Sequence, residues 1–385
     1  MLNFMKFLIE LVFVFTLLSS PSQSLFDKSS LPVVDILDFY SDQKRVKFLE
    51  EVSRSLHEFG FFAVINTGIQ SDILEAAYIA SEKFFKSPIS LKLKINDLSS
   101  NGQRGLVFSE RAQGQTSKDI KEFVHIGHFG NIWPDWMDLE NPMMNLLESL
   151  DSHRRDIENA ISLCLGEDIN FLARKTVNSS SLLRALYYPV PAQPEANGAL
   201  WSAAHTDIDL FTILPFATND GLQIYYNNSW LDVRVPPDAF IINSGDLLEN
   251  LSNGYFRSSF HRVVRPSDND KERFSIVYFI HGYDQCDFSP LPKYIEMNNG
   301  VRKFPIATEM DLLSRRLVEL GLADKDMLAY DKSSGLIEQV IALTEEGHAA
   351  EAVIRMYESW KQQQSVSVSD ASSHRHEDSK SVAEL

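Results

Sequence analysis

His205 and Asp207 are separated by one residue, and His261 lies much farther along the same 385-residue chain. All three interrupt apolar, strand-like sequence, in Trp201-Ser-Ala-Ala-His205-Thr206-Asp207 and Ser258-Ser259-Phe260-His261-Arg262-Val263. Side chains two apart on a strand share a face, so one strand through His205 and Asp207 would aim both inward. Buried polar groups need partners. Two imidazoles and a carboxylate with open positions are the facial ligand set of non-haem Fe(II) oxygenases. His-x-Asp alone is a common pattern, and the same ligand types suit a zinc hydrolase.

Arg273 and Ser275 repeat the two-residue spacing in Arg273-Phe-Ser-Ile-Val. An inward arginine in an apolar strand calls for an anion. Its planar fork suits a carboxylate, with the serine hydroxyl adding a third bond; an internal Asp or Glu is the alternative partner. A short turn at 267–271 predicts a hairpin, with the strands of His261 and Arg273 as antiparallel neighbours. No general base stands out, which counts against a hydrolase. An intact ligand set counts against a barrel that only binds.

These residues sit in a run of short strands, read at 182–188, 205–214, 222–226, 230–233, 240–243, 258–264 and 273–280. Asn227-Asn228 closes one hairpin. Short antiparallel strands without intervening helices predict a jelly-roll barrel. Upstream, 31–36 and 61–66 read as strands, and 41–58, 71–86, 141–165 and a piece to 175 as helices. Residues 98–130 read as loops and short strands. Downstream, 308–320, 336–346 and 349–360 are helical and are expected to cover the barrel or form a dimer contact. The fold class is therefore α+β, a double-stranded β-helix flanked by N-terminal helices and a C-terminal helical extension. The segments are 31–175, 182–285 and 305–360, with a polar, serine-rich and disordered tail over 361–385. Gly245 and Gly254 lie in turn-like sequence where positive φ is expected. His125, His128, His153 and His281 read as packing or surface histidines.

A hydrophobic content of 44% supports a sizeable core. Lys and Arg number 36 against 53 Asp and Glu, a net charge of −17 that repels phosphate backbones and argues against nucleic-acid partners. The two cysteines, Cys164 and Cys286, make neither a disulfide framework nor a metal pattern. Residues 1–24 run from a basic start through an apolar core to small residues, as an export signal does. Glu10 within that core, and a need for cytosolic cofactors, favour the cytoplasm instead; export is the preferred expectation. No other apolar run reaches the ~18 residues of a membrane span.

Taken together, the motifs resemble the iron(II)/2-oxoglutarate-dependent dioxygenases, in the branch of isopenicillin N synthase and the plant flavonoid and hormone oxygenases. The matching pieces are Tyr187-Tyr188-Pro189, His205-Thr206-Asp207, Gly221-Leu222-Gln223-Ile224 and Asn243-Ser244-Gly245-Asp246. Leu251-Ser252-Asn253-Gly254, His261-Arg262-Val263 and Arg273-Phe274-Ser275 follow in the family's order. Upstream, Leu31-Pro32-Val33-Val34-Asp35 and 60–69 resemble its N-terminal domain. The resemblance implies that His205, Asp207 and His261 ligate Fe(II), and that Arg273, Ser275 and Tyr188 hold the distal carboxylate of 2-oxoglutarate. It implies a small organic substrate hydroxylated, desaturated or cyclised with O2, releasing succinate and CO2, by a monomer or homodimer. Related enzymes often carry Asn where this chain has Leu186, which removes one contact to the cosubstrate. An oxidase of the same fold that needs no 2-oxoglutarate, with Arg273 on a substrate carboxylate, is the alternative.

Overall fold

Uniformly apolar strands belong to sheets covered on both faces. In the computed structural model, which describes residues 31–96, 104–108, 119–190, 200–266 and 271–365, such strands build an eight-stranded sheet. Its members in chain order are β1 (Val33–Asp35), β2 (Phe61–Ile65), β3 (Gly105–Val107), β4 (Glu122–Gly127) and β5 (Leu182–Tyr188). β7 (Phe211–Leu214), β10 (Phe240–Ser244) and β12 (Arg273–Ile280) complete it. The spatial order is β1-β2-β10-β7-β12-β5-β4-β3. The facing sheet holds β6 (Ser202–His205), β8 (Leu222–Tyr226), β9 (Ser229–Asp232) and β11 (His261–Val263), in the order β6-β11-β8-β9. Asn227 and Asn228, both at positive φ, turn β8 into β9. This two-sheet sandwich with flanking helices is the expected α+β jelly roll. Four strands from the N-terminal segment join the same sheet as those of the barrel segment.

The large sheet has two different faces. Its outer face packs on the helices Arg45–Glu58, Ser71–Phe85 and Glu140–Cys164, through Phe274, Ile276, Tyr278 and Ile280 of β12 among others. The alternate residues of β12 turn toward the small sheet, and Arg273 and Ser275 are among them. β5 splits the same way: Leu183 and Ala185 face the helices, while Leu186 and Tyr188 join Phe123, Trp201 and Val263 inside the sandwich.

Three expectations need correction. Residues 205–214 do not form one strand: β6 ends at His205, and β7 begins at Phe211 in the other sheet. β11 and β12 are not neighbours. β11 pairs with β6 and β8, whereas β12 pairs with β5 and β7. Twist and closure of the sandwich separate them, although the chain between them is short. The C-terminal region holds an additional helix, Lys325–Ser333, capped by Asp324 accepting from the Met327 amide at 2.8 Å. The last helix extends over 351–365, so 361–365 are helical rather than tail. The apolar segment at 1–24 and residues 366–385 lie outside the described residues. Among the described residues no helix is long and apolar enough to cross a membrane.

The short helix Asp246–Leu251 follows β10 through Gly245 and buries Leu247, Leu248 and Leu251. Glu249 goes in with them, and among the described residues its Oε2 has no hydrogen-bond partner. Burial, with Asp246 adding like charge, pushes its carboxyl up to about 8 from 4.5. The unfolded chain releases this proton near the ordinary value while the folded chain keeps it. Stability therefore declines as pH rises through that window. Glu249→Gln should match the parent chain at about pH 5 and exceed it at about pH 8 in urea unfolding. A difference that does not change with pH would rule out the buried proton.

Candidate active site

β6 and β11 lie side by side with His205 opposite His261, and the two imidazole centroids are 4.3 Å apart. Asp207 stands beyond the end of β6. The turn through Thr206, not strand alternation, brings its carboxylate back between the rings. Asp207 Oδ1 is 3.7 Å from His205 Nε2, and Oδ2 is 3.6 Å from His261 Nε2. One donor atom from each residue lies within 4.8 Å of the others, and among the described residues this is the one such group.

Hydrogen bonds behind these donors set their state. His205 Nδ1 donates to the Ala203 carbonyl at 2.7 Å and His261 Nδ1 to the Ser259 carbonyl at 3.2 Å. A carbonyl only accepts, so each Nδ1 carries a proton, and each Nε2 is the ring atom that faces Asp207. Burial first, and His261 second, push the His205 imidazole down to about 3, which keeps it neutral. Burial works to raise the Asp207 carboxyl, but the two histidines and its hydrogen bonds hold it below its ordinary value. Its Oδ2 accepts from Asn243 Nδ2 at 2.9 Å and Thr212 Oγ1 at 3.0 Å. Two imidazoles and one oriented carboxylate fit a divalent transition metal and suit ferrous iron.

Asn243 and Thr212 are partners that sequence reasoning left unassigned. Both stand on the large sheet, and only the folded sandwich brings them to Asp207. Thr212 Oγ1 is also 2.8 Å from Asp209 Oδ2. A hydroxyl has one proton, so it can donate to only one of the two carboxylates. Asp209 is 0% exposed, and burial together with the Asp207 charge raises its carboxyl well above the ordinary value. Thr212 thus bridges the two carboxylates and ties Asp209 to Asp207. Lys121 is another missed residue. It is buried, its Nζ donates to Ser202 Oγ at 3.1 Å, and it pairs with Asp119 at 2.9 Å. Asp119 accepts from the Ala203 amide at 2.9 Å, so the pair braces the residue that holds His205.

Arg273 and Ser275 are 2% and 3% exposed, on the inner face of β12. Arg273 Nε donates to the Asn219 carbonyl at 3.0 Å and Nη1 to Ser275 Oγ at 3.1 Å. Its guanidinium carbon lies 5.1 Å from the Tyr188 ring centroid. Among the described residues no Asp or Glu forms an ion pair with it, so the internal salt bridge is not made. Leu186, in place of the frequent Asn, packs with Tyr188 and Trp201.

The non-haem dioxygenase N-terminal family, named for morphine synthesis, matches residues 31–144, and the 2OG-Fe(II) oxygenase superfamily matches 179–282. Gibberellin 2-beta-dioxygenase 8 of Arabidopsis thaliana is 30% identical over 293 residues, covering 74% of this chain and 84% of the relative. The chain belongs to the 2OG-Fe(II) oxygenase superfamily. Another relative, the 2-oxoglutarate-dependent dioxygenase traH of Penicillium crustosum, is 26% identical over 66% of this chain and 84% of its own. A full-length Neurospora crassa protein, solved in complex with alpha-KG, superposes with a TM-score of 0.68 at 26% identity. That match covers 75% of this chain and 96% of the Neurospora chain. This oxygenase is thus a dioxygenase that uses Fe(II), 2-oxoglutarate and O2 on a small-molecule substrate.

Gly245 sits at φ −98° and ψ 179°, ordinary extended backbone rather than the expected positive φ. Close approach is what demands glycine: a Cβ there would overlap the Asp209 carboxylate and carbonyl. Gly254, at φ +83°, does adopt the left-handed conformation. Gly245→Ala should cost about 1–3 kcal/mol in urea unfolding, as overpacking does. It should also weaken metal binding by disturbing the Asp209–Thr212–Asp207 chain. An alanine variant as stable as the parent would refute the close approach.

Proposed function

We propose that His205, Asp207 and His261 hold the Fe(II) of this dioxygenase, and that Arg273 and Ser275, beside the Tyr188 ring, hold the distal carboxylate of 2-oxoglutarate. The observation that carries this reading is Arg273, a buried guanidinium with a neighbouring hydroxyl and no acidic partner among the described residues. A buried cation in that state requires an anion. When bound, Fe(II) with 2-oxoglutarate and O2 supplies the oxidising chemistry, with succinate and CO2 released. The chain's own contribution is orientation and exclusion of water. Ala203 and Ser259 fix the imidazole tautomers, Asn243 and Thr212 orient Asp207, and Asn219 aims Arg273 along β12. No side chain needs to move a proton, so none is nominated as a base. The substrate is a small organic molecule that is hydroxylated, desaturated or cyclised.

Anaerobic titration with Fe(II) and 2-oxoglutarate tests the assignment through the weak visible charge-transfer band of the chelated keto acid. His205→Ala should abolish the band. Arg273→Ala should keep it but raise the 2-oxoglutarate concentration required by at least about tenfold, the loss expected for a charge-assisted pair. A full-strength band at unchanged concentrations in both variants would refute the site. Succinate formed in equal amount to oxidised substrate would separate it from an oxidase that does not consume 2-oxoglutarate.

A further inference from the structure

The turn between the two nearest metal-ligand candidates is gripped from outside the barrel. Arg316, on the C-terminal helix Glu309–Leu320, donates from Nη1 to the Thr206 carbonyl at 3.1 Å and from Nη2 to Thr206 Oγ1 at 3.4 Å. Nη2 also pairs with Asp246 Oδ2, and Nε lies 3.6 Å from Glu319 Oε2. Thr206 Oγ1 donates to the same Asp246 oxygen at 3.3 Å. The Asp246 amide donates to the Asp207 carbonyl at 2.8 Å. Thr206 is therefore held by both its carbonyl and its hydroxyl, and Asp207 by its carbonyl, in a closed ring of Arg316, Thr206 and Asp246.

The helix that carries Arg316 is itself set in register. It begins with a capping box between Thr308 and Asp311. Its first residue, Glu309, is buried and accepts from Gly282 N at 3.1 Å and His281 Nδ1 at 2.8 Å, just past the end of β12. Glu309 and Arg316 are seven residues apart, about two turns and ~10 Å along one face. One end of the helix is thus tied to the strand of Arg273 and Ser275, and the other to the turn of His205 and Asp207. Arg315, the adjacent residue, shares the Glu319 carboxylate through Nε at 3.4 Å, while its Nη atoms bond Asp331 at 3.0 Å and Gln363 at 2.6 Å and hold the later helices.

We infer that Arg316 is a positioning residue of the metal centre: its planar fork on Thr206 and Asp246 sets the backbone that presents His205 and Asp207. The C-terminal extension is then a functional brace as well as a cover. This rests on the reading of His205, Asp207 and His261 as the iron ligands. Lysine cannot replace the fork, because an ammonium does not span the carbonyl, the hydroxyl and the carboxylate in one plane.

Fe(II) affinity, read anaerobically at saturating 2-oxoglutarate, tests the inference on the full-length chain. Removing an outer partner of a metal ligand weakens binding roughly 10–100-fold, and Arg316→Ala should fall in that range. Arg316→Lys should fall between it and the parent chain. Millimolar guanidinium ion should restore affinity to Arg316→Ala, which a merely unfolded helix would not allow. Asp324→Ala, which uncaps the outer helix Lys325–Ser333, should lower the thermal midpoint and leave Fe(II) affinity unchanged. A folded Arg316→Ala chain that binds Fe(II) within about twofold of the parent would overturn the inference. If Arg316→Ala does not fold, parent-like affinity in Arg316→Lys would overturn it instead. A parent chain that gives no more Fe(II) signal than His205→Ala would overturn the iron assignment itself, a separate result.

Discussion

A carboxylate buried between two imidazoles is the constraint on which the rest of this structure depends. An uncompensated buried ion costs on the order of several kcal/mol. Asn243 and Thr212 supply two hydrogen bonds to Oδ2, and Thr212 also contacts Asp209, whose carboxyl burial pushes well up. The remaining negative charge faces the two Nε2 atoms, and a divalent cation neutralises it. The sandwich meets these demands from both sheets. β6 and β11 bring the imidazoles together, while β7 and β10 bring the threonine and the asparagine from across the interior.

The same interior holds a charge of opposite sign, with no acidic partner among the described residues. Arg273 could have been neutralised by a neighbouring acid, which would have left no affinity for a keto acid. Its bonds instead go to a carbonyl and a hydroxyl, which orient the fork without cancelling its charge. Burial beside the Tyr188 ring, itself part of an apolar cluster with Leu186 and Trp201, makes that charge strong toward any carboxylate that enters. The His205–Asp207–His261 group and Arg273 thus lie on facing sheets, and the C-terminal helix spans from the end of β12 to the His205 turn.

Much of this was legible in the sequence because strand periodicity is local. Arg273 and Ser275 were correctly assigned to one face, since β12 is a regular strand. The N-terminal helices, the Asn227-Asn228 hairpin and the capped helix after Thr308 also follow from local signals. What failed depended on long-range geometry. His205 and Asp207 converge through a turn, although the apolar run 205–214 reads as continuous. β11 and β12 part into different sheets although few residues separate them. Asn243 was visible only as part of a motif, and Thr212 and Arg316 carry no local mark at all. Their roles arise from contacts 36, 5 and 110 residues away in the chain. Lys325–Ser333 did carry a signal, Asp324 at its N-cap, but its exposed and weakly patterned face hid it.

Iron-edge anomalous diffraction from anaerobic crystals grown with Fe(II) and 2-oxoglutarate would test the central claim most directly. One anomalous peak should lie between His205 Nε2, His261 Nε2 and the Asp207 carboxylate, with the distal carboxylate of 2-oxoglutarate on Arg273 and Ser275. Iron bound elsewhere, or 2-oxoglutarate turned so that Arg273 faces no carboxylate, would contradict it.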